Sequence, residues 1–233
     1  MDERKFDELI ANGHLQPDWR PSFLAVPRRQ FIPPTIWRKD KARPGPNLVP
    51  VNQHEHPDLW RDLVDGDDVV ITQVDDGDPP ELDAGEAISS SASTPEVAAM
   101  MLKHLDVHGG ERVLEIGTGT GWNAALMAHR LGADRVTSIE VDPELATYAR
   151  KALADAGYGA VRVVTGDGTW GHRPEAPYHR IIATVACAEI PYPWVTQTRT
   201  GGRIVAPSCA LDYHGLLLAL TVAQNGTAIG HAV

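Results

Sequence analysis

Cysteine is nearly absent: the 233-residue chain has two, Cys187 and Cys209. Both lie among apolar residues, so no disulfide framework or thiolate metal cluster organises the fold. They read as buried thiols in a reducing compartment, and the expected location is cytoplasmic. Basic charge is also short, with 21 Lys and Arg against 31 Asp and Glu and a formal net charge of -10. That excludes a general nucleic-acid surface, which needs a basic footprint. No apolar run approaches membrane-spanning length; Gly215 to Val222 is far too short, so no membrane partner is expected. The charged start, Met1-Asp2-Glu3-Arg4-Lys5, does not read as a secretory leader. His54-Glu55-His56, read as an extended segment with both imidazoles on one side, lacks a third ligand at sensible spacing and runs into Pro57, so no metal is expected. The remaining composition is ordinary, 42% apolar and 22% charged. It suits one globular domain with a small addition.

One stretch organises the rest. Val113, Leu114 and Ile116 read as a short buried strand, which breaks into Gly117-Thr118-Gly119-Thr120-Gly121. A helical pattern from Ala124 to Leu131 follows at once and stops at Gly132. Strand, glycine turn and helix together make a ligand loop, because glycines let backbone turn tightly and approach a ligand closely. A second strand pattern, Arg135 to Asp142, ends in acid and carries Glu140 near its tip. An acid there can hold both hydroxyls of a ribose. Two details favour S-adenosyl-L-methionine over a dinucleotide. The glycines alternate, unlike the Gly-x-Gly-x-x-Gly that seats a pyrophosphate, and Glu115 closes the first strand. A carboxylate repels a pyrophosphate and attracts a sulfonium or ammonium. The alternative is a tight turn with no ligand.

Along the chain, Asp2 to Leu9 starts a short helix. Pro17 to Pro50 is proline-rich, so short turns and extended arms are expected, with Phe23, Phe31, Ile36 and Trp37 laid over the main domain. Arg28, Arg29, Arg38, Lys39, Lys41 and Arg43 form a local basic patch, read first as a solvated face and second as a docking strip for an acidic substrate. Between Asp65 and Glu86 only Val69-Val70-Ile71 reads as strand. Thr94 caps a helix with Pro95 at its first position. Val161 to Val164 is a third strand, and Gly166-Asp167-Gly168 follows it, with Asp167 placed to accept from an adenine amino group. Tyr178 to Thr184 is a fourth strand. Gly201-Gly202 turns into a fifth. Asn225-Gly226 marks a hairpin. Alternation of helix and strand from Val97 to Pro207 makes the sheet mainly parallel there. The expected division is an arm and substrate-side cap over 1–86 and a cofactor domain over 87–233.

These residues resemble the protein-L-isoaspartate O-methyltransferase family. Val26-Pro27-Arg28-Arg29-Gln30-Phe31-Ile32-Pro33 is similar to its N-terminal signature, and Ser93-Thr94-Pro95 to its Ser-x-Pro helix start, whose serine is the family's active-site residue. Val113 to Asn123, Gly166-Asp167-Gly168 and Gly201 to Val205 complete the order. The resemblance implies an α/β, Rossmann-like class I methyltransferase: a mainly parallel sheet with helices on both faces, antiparallel C-terminal strands and a proline-rich N-terminal arm. It implies Ser93 and Thr94 as catalytic residues. Glu115, Gly117, Thr118, Gly119, Gly121, Glu140, Val141, Asp167, Gly168 and Thr184 would hold the cofactor. The sequence departs from the repair enzymes in three places. Gly85 to Ser93 replaces their Gly-x-x-Gln-Thr-Ile-Ser run, Lys39 to Glu86 is longer, and Ala98 stands where many members have a histidine. These departures, with His54-Glu55-His56-Pro57-Asp58-Leu59-Trp60, look more like an actinobacterial branch that tailors ribosomally made peptides. That branch esterifies an Asp of a lanthipeptide or ATP-grasp-crosslinked peptide and so leads to aspartimide or isoaspartate. The expected partner is therefore an acidic, modified precursor peptide. General isoaspartyl repair and a non-catalytic peptide- or partner-binding module are the alternatives.

Overall fold

The computed structural model describes residues 3–42, 44–45, 47–79, 84–209 and 216–233. Met1, Asp2, Arg43 and Gly215, named above, lie outside the described residues.

The centre is β5 (Val113–Ile116), buried on both faces, as a strand covered by helices must be. It pairs in parallel with β6 (Val136–Glu140) on one side and β8 (Tyr178–Ala183) on the other. β7 (Arg162–Thr165) extends the sheet in parallel beyond β6, and β9 (Thr198–Ser208) beyond β8. β10 (Leu216–Val222) and β11 (Ala228–Ala232) close it antiparallel through the Asn225-Gly226 turn. The order is β11-β10-β9-β8-β5-β6-β7. The chain winds outward from β5 through β6 and β7, then returns to β8 on the opposite side, so strand order reverses at β5. Crevices for ligands open at the carboxyl ends of strands where that happens.

Side chains alternate across the sheet. Val113, Ile182 and Val205 face α4 (Pro95–Leu105), α5 (Trp122–Leu131) and α6 (Pro143–Asp155). Leu114, Ile181 and Ile204 face the other way, against Trp194 and Val195 of α7 (Tyr192–Gln197). The expected mainly parallel sheet with helices on both faces and antiparallel C-terminal strands is what the structure has.

The N-terminal arm is more regular than its prolines suggested. α1 (Glu3–Ala11) and α2 (Arg20–Ala25) bury Phe6, Leu9 and Phe23 in the same core as α4 and α5. Phe23 meets Trp122 edge to face, ring centroids 5.8 Å apart. Between the arm and α4 stands a second sheet that the sequence did not announce. β1 (Thr35–Lys39), β2 (Leu48–Asn52), β3 (Val70–Val74) and β4 (Ile88–Ala92) pair antiparallel in the order β2-β1-β3-β4. α3 (Pro57–Asp65) buries Trp60 and Val64 against this sheet. The chain thus crosses the boundary expected at residue 87 in both directions.

Four local expectations are corrected. The serine run expected only to precede a helix is itself strand β4, paired with β3. His54 to His56, read as extended, is a turn, with His56 at the N-cap of α3. Gly201-Gly202 is no turn, since β9 runs through it and absorbs the glycines in a register shift against β8. Arg28, counted in a solvated basic patch, is buried. Its guanidinium donates to the carbonyls of Val64, Gly66, Asp68 and Ser93. Arg38, Lys39 and Lys41 are exposed, and Arg29 forms an ion pair with Asp65.

Candidate functional site

The glycine turn after β5 is pinned to β6. Gly117 and Thr118 donate their N–H groups to the Ile139 carbonyl at 2.8 and 3.2 Å. Gly117 has φ +92°, and a Cβ there would lie 2.6 Å from Thr184 Oγ1 and 2.7 Å from Val185 Cγ1. Glycine is therefore required by conformation and by space. Thr184, just past β8, donates its hydroxyl to the Gly117 carbonyl and fixes the turn from the other side. Gly119 donates its N–H to Glu140 Oε2 at 2.8 Å. Gly121 N-caps α5 without a side-chain cap, so first-turn N–H groups of α5 have no helical acceptor.

Three cavities share Gly117 as a wall. The first, about 250 Å³, is an apolar slot between Ile116, Ile139, Val141 and Trp194, with Glu140 and Asp167 at its polar edge. Gly168 keeps it open, since a Cβ there would sit 2.5 Å from Ile116 Cγ2. The second, about 280 Å³, lies between Ser89, Ser90 and Ser91 of β4 and Gly119, Glu140 and Thr184. The third is small, about 90 Å³, and is walled by Ser93, Met101, Thr118, Trp122, Asn123 and Thr184.

The residues named from sequence distribute among these spaces unequally. Glu140 is 7% exposed; one oxygen accepts from Gly119 and the other from the Asp142 N–H. Each carboxylate oxygen keeps a further lone pair for a ligand hydroxyl. Asp167 Oδ1 accepts from the N–H and hydroxyl of Thr169, which hold its carboxyl below the ordinary aspartate range. Val141 and Gly168 line the slot with it. Ser93 reaches the small cavity, with its own carbonyl fixed by Arg28 at 2.9 Å. Thr94 does not wall that cavity; its Oγ1 accepts from the Val97 N–H and caps α4, as expected. Gly121 also stands apart, packed on Leu153 and Ala149 of α6. Glu115, expected to meet the ligand, is 0% exposed and walls none of the three cavities. Its oxygens accept from Ser138 Oγ and Asn123 Nδ2. Burial pushes its carboxyl up to about 7. Sequence reading missed Asn123, Trp194, Gln73 and the strand β4. Gln73 Nε2 donates to Asp142 Oδ2 at 2.7 Å and its Oε1 accepts from Ser89, tying the small sheet to the tip of β6.

The residues from 80 to 231 match the family model described as protein-L-isoaspartate(D-aspartate) O-methyltransferase. The chain belongs to that family. Among curated family proteins, the protein-L-isoaspartate O-methyltransferase of Methanoculleus marisnigri is 46% identical over 129 residues, 55% of this chain and 56% of that protein. The Pyrococcus horikoshii protein of the same name is 44% identical over 150 residues, 64% of this chain and 66% of that one. An Anaeromyxobacter family protein is 38% identical over 170 residues, 73% of this chain and 63% of that protein. The chain thus spans under two thirds of the length of these relatives. A solved protein-L-isoaspartate O-methyltransferase superposes with a TM-score of 0.73 at 26% identity, over 100% of this chain and 63% of that one. A Plasmodium falciparum structure, titled a putative protein-L-isoaspartate O-methyltransferase in complex with S-adenosyl-L-homocysteine, shares the fold. Its TM-score is 0.69 at 15% identity, over 99% of this chain and 93% of that one. Among the described residues, no helix is long and apolar enough to cross a membrane.

The donor set fits a nucleoside sulfonium. The slot offers apolar walls for a purine, with Asp167 beside it. Glu140 offers a buried carboxylate to paired hydroxyls. A diphosphate at the turn would face that carboxylate directly.

Proposed function

We propose that the protein transfers a methyl group from S-adenosylmethionine to the side-chain carboxylate of an isoaspartyl or aspartyl residue in a peptide. The observation that carries this reading is the small cavity of about 90 Å³ that Ser93 and the glycine turn line together.

Bound in the slot, the cofactor supplies an electrophilic methyl group. An acceptor carboxylate, pKa about 4, is already ionised at neutral pH, so no general base is needed from the protein. Ser93 orients the carboxylate by donating a hydrogen bond, which places one oxygen for in-line attack. Arg28 fixes the Ser93 backbone, and Met101 and Trp122 keep water from the small cavity. Glu140 and Asp167 hold the nucleoside end. The resulting methyl ester is a better electrophile than the acid. The next backbone nitrogen then attacks the ester carbonyl, loses its proton and expels methanol, closing a succinimide without further help from the enzyme.

The names of the relatives favour an isoaspartyl acceptor of the repair type. Tailoring of one ribosomally made precursor peptide is the second reading, and two features favour it: the β1–β3 sheet with α3 built largely from the lengthened segment, and the serine strand β4 beside the cavities. The test is methyl transfer to short isoaspartyl peptides of varied sequence. Transfer to most of them supports repair, and transfer only to a single modified precursor supports tailoring. Absence of S-adenosylhomocysteine with every acidic peptide tried, alongside tight binding of one, would reduce the protein to a peptide-binding module.

A further inference from the structure

Glu115 and the small cavity are separated by one side chain. Asn123, the second residue of α5, donates its Nδ2 to Glu115 Oε1 at 2.8 Å. It also walls the small cavity beside Gly117 and Thr184. Its other atom, Oδ1, is buried and has no hydrogen-bond partner. An amide oxygen shut away from water without a donor costs free energy, and such groups in folded proteins are normally met. On its far side, Glu115 accepts from Ser138 Oγ, and Ser138 shares a 2.6 Å hydrogen bond with Thr118 of the glycine turn. Every polar atom of this chain of contacts is occupied except the one on Asn123. What completes it must be a donor that enters the small cavity, and a cation suits best, because Glu115 lies directly behind.

We propose that Asn123 receives the ammonium of the cofactor's amino-acid end on its side-chain oxygen, and that Glu115 is a positioning residue acting through Asn123. The inference rests on the cofactor assigned above. It explains why the acid closing β5 is sealed from the cavities it was expected to line. The side-chain alternation of β5 turns Glu115 toward α5, so its charge reaches the ligand only by way of a helix residue. The amide plane of Asn123, anchored by Glu115, aims Oδ1 in one direction. That arrangement selects a donor and disfavours a second carboxylate at the same spot.

The test is binding by calorimetry with three ligands: S-adenosylhomocysteine, its analogue lacking the amino group, and 5′-methylthioadenosine, which lacks the whole amino-acid end. The unaltered protein should prefer S-adenosylhomocysteine to the des-amino analogue. Asn123→Leu should lose that preference, with affinity for S-adenosylhomocysteine falling about tenfold or more, as expected for one charge-assisted hydrogen bond. Its affinity for 5′-methylthioadenosine should stay unchanged. Asn123→Asp, which keeps an acceptor oxygen, should retain the preference. Glu115→Gln should reduce the preference and leave 5′-methylthioadenosine binding intact. Equal loss of all three ligands in Asn123→Leu would mean that the residue only supports the turn, and would overturn the inference. So would an unchanged preference in that variant. Failure of the unaltered protein to bind any of the three would instead overturn the cofactor assignment, and the inference with it.

Discussion

A carboxyl group sealed between a strand and a helix is costly to ionise. Burial raises Glu115 to about 7 from an ordinary 4.5; its bonds from Ser138 and Asn123 favour the charged form, and the nearby Glu140 carboxylate opposes it. The folded state therefore keeps a proton that the unfolded chain gives up. Its stabilising effect is complete below pH 4.5, declines as pH rises, and is gone above about 7. The total is on the order of 3 kcal/mol. Glu115→Gln mimics the protonated form, because the Ser138 hydroxyl can reverse and accept while donating to Thr118. Without cofactor, the variant should melt at about the wild-type temperature at pH 5 and clearly above it at pH 8. An equal gap at the two pH values would contradict the assignment. Two other side chains make separable predictions. Ser93→Ala should lower turnover by a hundredfold or less, about 2–3 kcal/mol for one oriented donor, and leave cofactor affinity intact. Loss of cofactor binding would show the serine misplaced. Glu140→Ala should do the reverse, weakening the cofactor in calorimetry, because it removes the acceptor of the Gly119 N–H and the carboxylate proposed to take the ribose hydroxyls.

At the scale of elements, the turn after β5 is the least tolerant. Gly117→Ala puts a methyl group against Thr184 and Val185 at a φ of +92°. The turn must open away from β8, and both its N–H bonds to Ile139 weaken. Thermal unfolding should show a loss of about 2 kcal/mol or more, and cofactor binding should fall below detection. This element is legible in the amino-acid order alone, because strand, alternate glycines and helix each leave their own pattern in the residues. So are β6 to β8 and the Asn225-Gly226 hairpin. The small sheet is not. β4 is Ile88-Ser89-Ser90-Ser91-Ala92, with too few apolar residues to alternate, and its strand character comes from pairing with β3. β1 and β2 are short strands set among prolines. α3 leaves a fainter trace: Leu59, Trp60, Leu63 and Val64 recur at helical spacing behind Pro57, a pattern masked by reading His54 to His56 as extended. Of the residues read as a site, Gly117, Gly119, Gly168, Glu140 and Asp167 line the cavities, and Gly121 does not. Glu115 does not stay beside them, because strand alternation decides which face an acid takes and a sequence window does not reveal what covers that face.

At the scale of the molecule, Arg28 makes the most consequential polar contacts between the small sheet's side and the main core among the described residues. It sits in the turn after α2, buried, and reaches α3, the turn leading to β3, and Ser93 at once. Burial lowers the pKa of its guanidinium, while Asp65, Asp67 and Asp68 work to keep it charged. Its plane also lies 6.0 Å from the Trp122 ring, above the residue that opens α5. This side chain therefore helps hold the start of α4 and Ser93 against α3 and Trp122. It needs a planar fork with several donors to do so. Arg28→Met would leave four carbonyls short of a donor and should cost about 3 kcal/mol or more of stability. Arg28→Lys keeps the charge but can serve only part of the set. It should therefore recover part of the stability in denaturant titration and little of the activity, since Ser93 would no longer be held over the small cavity. Full recovery of turnover with lysine would show that Arg28 contributes charge alone and that the placement of Ser93 does not depend on the fork.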